Sequence, residues 1–288
     1  MLLWFRCGRA DAGILEPPVV GSVKVNLVSE TTALPNKITV ISAGISTTSL
    51  EEVAGLIVDP PPEGLTVAVS NVQAVMMTRS DKEYAAAHAA SSIATSDGVP
   101  LVWALRKLGQ PDQSRVEGFQ ITSRAIELGL AKNRRHFFYG ASQETLDLLQ
   151  EKLKQRYPEI EIAGAYSPPF GPLTDGTVAD VVTRVTESGA NILWIGLGLP
   201  KQDVLMVRVH PELPGVSIGA IGAVFDWFAG NVSKAPEWMQ KAGLEWLYRL
   251  SKEPRRLWRR YIYNNPAYLI LLGKQLLLAK FKKTKVGT

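Results

Sequence analysis

The sequence predicts an α/β protein: a Rossmann-like, largely parallel sheet with helices on both faces, followed by a C-terminal amphipathic helical appendage. Three observations predict it. Short apolar runs rich in Val and Ile recur from residue 37 onward, helix-like segments separate them, and the charge balance changes near residue 249.

Taken in order, residues 1–36 contain Pro17, Pro18 and Pro35, three glycines and little periodicity, which predicts a poorly ordered extension. The α/β domain then runs over 37–248. Its strand candidates are "KITVISAGI" (37–45), "LTVAVS" (65–70), "HFFYGAS" (136–142), "IEIAGAY" (160–166), "NILWIGLG" (191–198) and "VSIGAIG" (216–222). Ser49 with Glu52 three residues later forms a capping box at one helix start, and Ser142 precedes another at "QETLDLLQEKLKQRY". Strands alternating with helices place a ligand at the carboxyl edge of the sheet.

The appendage covers 249–288. Pro254 fits the first turn of a helix, and at about 100° per residue Arg256, Arg259, Arg260 and Tyr263 share one face while Leu257, Trp258, Tyr261 and Ile262 share the other. "AYLILLGKQLLLAKF" (267–281) is 15 residues broken by Lys274, Gln275 and Lys280, too short to span a bilayer but suited to lying on one.

The net charge of +5 hides an asymmetry. Residues 249–288 carry eleven Lys or Arg against Glu253 alone, leaving 21 cations and 26 acids before them. A basic tail on an acidic body argues against a nucleic-acid binder and for a membrane or ligand device. Cys7 is the single cysteine, and His88, His136 and His210 are far apart, so no metal-ligand spacing and no disulfide framework exists. Only five apolar residues precede Arg6, too few for a secretory signal, and the expected location is the cytoplasm.

Three internal stretches carry candidate chemistry. "IGLGLPKQD" (195–203) places Gly196 and Gly198 after a strand, but the third glycine of a dinucleotide fingerprint is missing, so neither NAD nor any other cofactor is expected. Its glycines are explained by a tight turn alone, although Lys201 and Gln202 on that turn suit an anionic or sugar ligand. In "TSDGVPLVW" (95–103), Asp97 reads either as an ordinary turn or N-cap residue or as a functional acid. "GAIGAVFDWFAG" (219–230) buries Asp226 between Phe225 and Trp227, where it needs donors from the backbone or a ligand. No DxD carboxylate pair is present to hold a divalent ion on a sugar diphosphate, which leaves arginine to offset phosphate charge.

Together "SDGVPLVWALRKLGQPDQSRVEG", "WIGLGLPKQD", "GAIGAVFDWFAGNVSKAPEWMQKAGLEWLYRL" and "EPRRLWRRY" resemble the WecG/TagA/CpsF family of bacterial glycosyltransferases over about residues 38–262. The resemblance implies an inverting, metal-independent transfer of N-acetylmannosamine or a related sugar from a UDP-sugar donor. The acceptor it implies is a polyprenyl-diphosphate-linked saccharide at the inner face of the cell membrane, within polysaccharide synthesis. By resemblance Asp97 is the general base, and Asn71 lies beside the acceptor and donor sugar. Arg115 and Gln202 line the donor pocket, Asp226 lies near the uridine, and Arg249, Arg256 and Arg259 close over the diphosphate. Arg255 and Arg260 are left for membrane docking. Val69 departs from a threonine common in the family and Gln120 from an aspartate, which bears on sugar identity. A non-catalytic UDP-sugar-binding or scaffolding protein at the membrane is the alternative, and homo-oligomerisation is left open.

Overall fold

The computed structural model describes residues 33–233 and 235–286, with the side chains at 237, 241, 256 and 282–286 outside that description. The described residues belong to one compact unit. The extension expected over 1–36 lies almost wholly outside the described residues.

The first apolar run is two strands rather than one. β1 (Lys37–Val40) and β2 (Ala43–Ser46) pair antiparallel around a turn in which Ile41 takes φ 61°. β3 (Leu65–Ser70), β4 (Ile93–Ser96), β5 (Arg135–Gly140), β6 (Glu161–Tyr166), β7 (Ile192–Gly196) and β8 (Ser217–Ala220) form the sheet proper, in the order β4-β3-β8-β7-β5-β6. All five of its pairings are parallel. β4 has no counterpart among the predicted runs: four residues, "IATS", with hydroxyls at its last two positions, are too short and too polar to stand out.

Successive residues of β7 show why the strands read as continuous apolar runs. Ile192 and Trp194 face a core built from α1 (Leu50–Val58), α5 (Gly118–Leu130), α6 (Gln143–Arg156) and α9 (Val224–Ala229), whereas Leu193 and Ile195 face α7 (Asp175–Ser188) and α8 (Lys201–Val209) on the opposite side. Both faces are covered, so both side-chain sets are apolar. The predicted helix starts are present: Ser49 and Glu52 cap each other reciprocally at α1, and the Ser142 side chain accepts from Thr145 N–H at α6. Each such cap stabilises its helix by about 1 kcal/mol.

A third core cluster joins the hairpin, α2 (Val72–Ser80), α4 (Val99–Lys107) and the C-terminal helix. After α3 (Lys82–Ala90), α10 (Glu237–Lys241) and α11 (Glu245–Lys252), the chain ends in α12, a single helix over Pro254–Val286 that continues through Pro266. At 33 residues it is about 50 Å long. Leu257, Tyr261, Tyr268 and Leu272 are its buried row, and the Tyr268 hydroxyl donates to the Pro100 carbonyl at 3.0 Å. This row differs from the predicted faces: Trp258 and Ile262, grouped with Leu257 and Tyr261 by sequence, are exposed. No described helix is long and apolar enough to cross a membrane.

Candidate active site

Parallel register brings the first two site residues together. Ser70 at the end of β3 pairs with Ser96 at the end of β4, and the next N–H, that of Asp97, donates to the Ser70 carbonyl at 2.9 Å. Asn71 therefore sits beside Asp97 at the carboxyl edge of the sheet. Asn71 caps α2: its Oδ1 accepts from Gln73 and Ala74 N–H at 2.9 and 3.3 Å. Asp97 does not cap α4, because Gly98 occupies the N-cap position and no side chain bonds there. That rules out the ordinary capping explanation of Asp97 and leaves its carboxylate for another partner.

The partner is Arg115. The loop carrying it runs alongside β4, with Val116 N–H donating to the Ser96 carbonyl at 3.1 Å and the Gln113 amide donating to Thr48 and Ser114 carbonyls. Arg115 Nε then donates to the Asp97 carbonyl at 2.5 Å and Nη2 reaches Asp97 Oδ1 at 3.4 Å. The same Nη2 lies 3.1 Å from Glu117 Oε2 and 2.8 Å from Glu245 Oε2. Burial pushes the Asp97 carboxyl up to about 6; the guanidinium opposes this, and Glu245 and Glu117 add to it. Such a carboxylate is ionised at neutral pH yet basic enough to accept a proton.

Two cavities meet at Asp97. One, of about 690 Å³, opens beyond the ends of β3, β5, β7 and β8 and is lined by residues 196–199 and 221–227, Asp226 among them, with Ser142, Thr145 and Gln202. Close approach of the chain forms its floor: a Cβ on Gly196 would stand 2.7 Å from the Phe225 ring, so only glycine fits there. The other, of about 300 Å³, is walled by Val99, Pro100, Trp103, Leu244, Trp246, Tyr261, Tyr268 and Leu269 and is mainly apolar. Asn71, Gln73, Asp97, Arg249 and Arg260 belong to both walls.

The cations fall differently from the sequence expectation. Arg249, on α11, lines both cavities, lies 5.9 Å from the Trp227 ring centre and keeps a buried Nε without a hydrogen-bond partner among the described residues. Arg260, set aside for membrane docking, lines both cavities as well. Arg259 is exposed over Trp258, 5.2 Å from its ring centre, and lines neither, so its placement at a diphosphate is not supported. The helical period puts Arg259 and Arg260 on one face and the resemblance puts Arg259 at the diphosphate, but the buried row of α12 runs through Leu257 and Tyr261, which carries Arg260 inward and Arg259 outward. The Arg256 side chain lies outside the described residues.

Three other expected residues take specific positions. Gln202 lines the larger cavity, but both ends of its amide are engaged, Oε1 by Gly198 N–H at 2.9 Å and Nε2 by the Ala220 carbonyl at 3.2 Å, so it braces the turn. Lys201 turns away, donating to the Gly171 carbonyl at 2.6 Å over the Phe170 ring. Asp226 is half-buried on the cavity wall rather than sealed in, with Asn231 Nδ2 at 3.4 Å. Val69 stands at the cavity edge beside Gly118, where it offers no hydrogen-bonding group.

This arrangement offers a polar chamber with two arginines, an apolar chamber, and a basic carboxylate between them. A model of the glycosyl transferase WecG/TagA/CpsF family matches residues 38–282. Among characterised proteins, the N-acetylglucosaminyldiphosphoundecaprenol N-acetyl-beta-D-mannosaminyltransferase of Bacillus spizizenii strain W23 is 30% identical over 215 residues, 74% of this chain and 80% of that protein. The protein of the same name from Bacillus subtilis strain 168 is 31% identical over 225 residues, 77% of this chain and 82% of that one.

Proposed function

The chain belongs to the WecG/TagA/CpsF family of glycosyl transferases, and from that premise we propose that it moves N-acetylmannosamine or a related sugar from a UDP-sugar to N-acetylglucosamine carried on a polyprenyl diphosphate. The observation that carries this reading is the position of Asp97 in the wall shared by a polar and an apolar cavity. The polar chamber takes the donor, with Asp226 toward the uridine and Arg249 and Arg260 on the diphosphate. The apolar chamber takes the acceptor, whose first isoprene units contact Trp103, Tyr261 and Leu269.

In this reading Asp97 accepts the proton of the acceptor hydroxyl as that oxygen attacks the anomeric carbon. The new C–O bond forms on one face while the bond to the diphosphate oxygen breaks on the other, which inverts the anomeric centre. Negative charge moves onto UDP, where guanidinium groups in a water-poor wall stabilise it by a few kcal/mol. The reading gives that charge to arginine and calls for no metal.

The exposed apolar side chains Trp258, Ile262, Leu269, Ile270, Leu277 and Leu278 on α12, interspersed with Arg255, Arg259, Lys274 and Lys280, support a peripheral position on the inner face of the membrane. Binding to acidic vesicles should then weaken as salt rises.

The deciding test is UDP release from UDP-N-acetylmannosamine with a short-chain lipid-diphosphate N-acetylglucosamine acceptor, together with the anomeric configuration of the product. Acceptor-dependent release and an inverted product are expected. UDP-sugar binding with no acceptor-dependent release over a broad acceptor panel would overturn the reading in favour of a non-catalytic binding protein.

A further inference from the structure

The contact between Arg115 and Glu245 joins two parts of the chain that differ in role. Arg115 belongs to the loop ahead of α5 and grips Asp97 twice, at its carbonyl by Nε and at its carboxylate by Nη2. Glu245 belongs to the first turn of α11 and engages that same Nη2 at 2.8 Å, closer than either Asp97 at 3.4 Å or Glu117 at 3.1 Å. One nitrogen thus serves three carboxylates, and the side chains of Asp97, Arg115 and Glu245 are each about four-fifths shielded from solvent.

We infer that Glu245 is a positioning residue through which the C-terminal helical segment sets the orientation and proton affinity of Asp97, acting through Arg115. Two consequences follow from the geometry. Glu245 holds the same Nη2 that reaches the Asp97 carboxylate, so the guanidinium against which that carboxylate is set is fixed from α11 only while α11 is docked. Glu245 also draws on the positive charge that would otherwise be available to Asp97 and adds a like charge beside it, making the base stronger. The groups facing Asp97 are Arg115 and Glu117 from the α5 side, Glu245 and Arg249 from α11, and Arg260 across the cavity. Of these, Glu245 and Arg249 arrive with α11 and oppose each other, so removing Glu245 alone leaves Arg249 to depress Asp97 unopposed from that side.

A segment that merely walls the cavity needs no carboxylate at this position, since Leu244, Trp246 and Tyr261 supply the apolar contact. An acid held against the arginine that grips the base is explained by an effect on the base. The inference rests on Asp97 acting as the base, and its test reads Asp97 both with and without turnover.

Full-length wild type, E245Q, E245D, E117Q and D97N are compared by the pH dependence of kcat/KM for UDP release and by titration of the Asp97 carboxyl using ¹³C-carboxyl-labelled aspartate, with D97N giving the assignment. In E245Q the Asp97 titration and the acidic limb of the rate profile should both move to lower pH by about half a unit, the scale of one like charge removed from a partly solvated cluster. E245D, which keeps the charge, should retain more of the wild-type titration. An Asp97 titration unchanged in E245Q overturns the inference, as does an equal shift in E117Q and E245Q, which would make the effect one of generic charge rather than of the α11 contact. Undiminished turnover in D97N would instead strike the base assignment, while the carboxyl titration would still report on Glu245.

Discussion

Gln275 holds the β1–β2 turn at Ile41: its Oε1 accepts from Ile41 N–H at 2.8 Å and its Nε2 donates to the Thr39 carbonyl at 2.7 Å. One side chain from α12 therefore satisfies two backbone groups of a hairpin whose turn holds a β-branched residue in a left-handed conformation. With Tyr268 and Leu272 in the same cluster, the C-terminal helix is tied to the body well beyond the arginines that open it. Gln275→Ala leaves the Ile41 N–H without that partner and should cost about 1–3 kcal/mol, measured by urea unfolding. Faster amide exchange along α12 should accompany it. For the same reason, deleting residues 266–288 removes the core side chains Tyr268 and Leu272 as well as part of the exposed apolar surface. Vesicle-binding tests are therefore better made by Leu277 and Leu278 to Ser, both exposed.

Asp97 makes a pH prediction. A general base must be deprotonated, so kcat/KM should rise with pH through about 6, where burial places this carboxyl, and level off above it. Asp97→Asn should lower kcat by about 10²- to 10⁴-fold at pH 7.5 with little change in UDP-sugar affinity. A profile flat from pH 5 to 8 in wild type would contradict the assignment.

The two candidate diphosphate arginines are separable from their neighbour. Arg249→Ala and Arg260→Ala should each weaken UDP binding by about 10- to 100-fold, the loss associated with a charged hydrogen bond. Arg259→Ala, exposed over Trp258, should leave UDP affinity within about twofold while reducing binding to acidic vesicles. Titration calorimetry with UDP and vesicle sedimentation read the two effects independently.

The pattern of buried parallel strands was legible because both faces are covered: "LTVAVS" and "NILWIGLG" carry no polar alternation to disguise them. What stayed hidden was β4, short and hydroxyl-rich, so the strand end that delivers Asp97 read only as a glycine turn. The candidate site divides for a physical reason. Asp97, Asn71 and Asp226, singled out by the family resemblance, sit at strand or helix ends, where the backbone dictates position. The α12 cations depend on which helix face packs inward, and period alone grouped Leu257 with Trp258, whereas packing against the body selects Leu257 and Tyr261 and rejects Trp258. That rotation moves Arg260 into the site and Arg259 out of it. Glu245 lies inside "GLEWLYRL", which carries no sign that it meets Arg115, because the contact spans residues 130 positions apart.

Asp203 offers a prediction away from the chemistry. It lies fully buried in the first turn of α8, its Oδ2 accepting from the Tyr84 hydroxyl at 3.0 Å and its Oδ1 without a hydrogen-bond partner among the described residues. Burial pushes its carboxyl up to about 7, only partly offset by the hydrogen bonds it accepts. The folded state therefore holds a proton that the unfolded chain releases, so this group's contribution to stability is complete below about pH 4 and is lost as pH rises through about 7. His88 and His136 work with the opposite sign, since burial lowers both to about 4, and as the unfolded chain's imidazoles lose their protons above about pH 6.5 the two together return about 1 kcal/mol. Between pH 6.5 and 8.5 the loss of about 1 kcal/mol through Asp203 and this gain should leave the wild-type unfolding free energy nearly level. In Asp203→Asn, which keeps an acceptor for Tyr84 and cannot titrate, the histidine gain stands alone, so urea unfolding curves taken across the same interval should show stability rising by about 1 kcal/mol. The same profile in both proteins would place the titration elsewhere and leave Asp203 ionised in its buried site, against the high desolvation cost of an unpaired carboxylate oxygen.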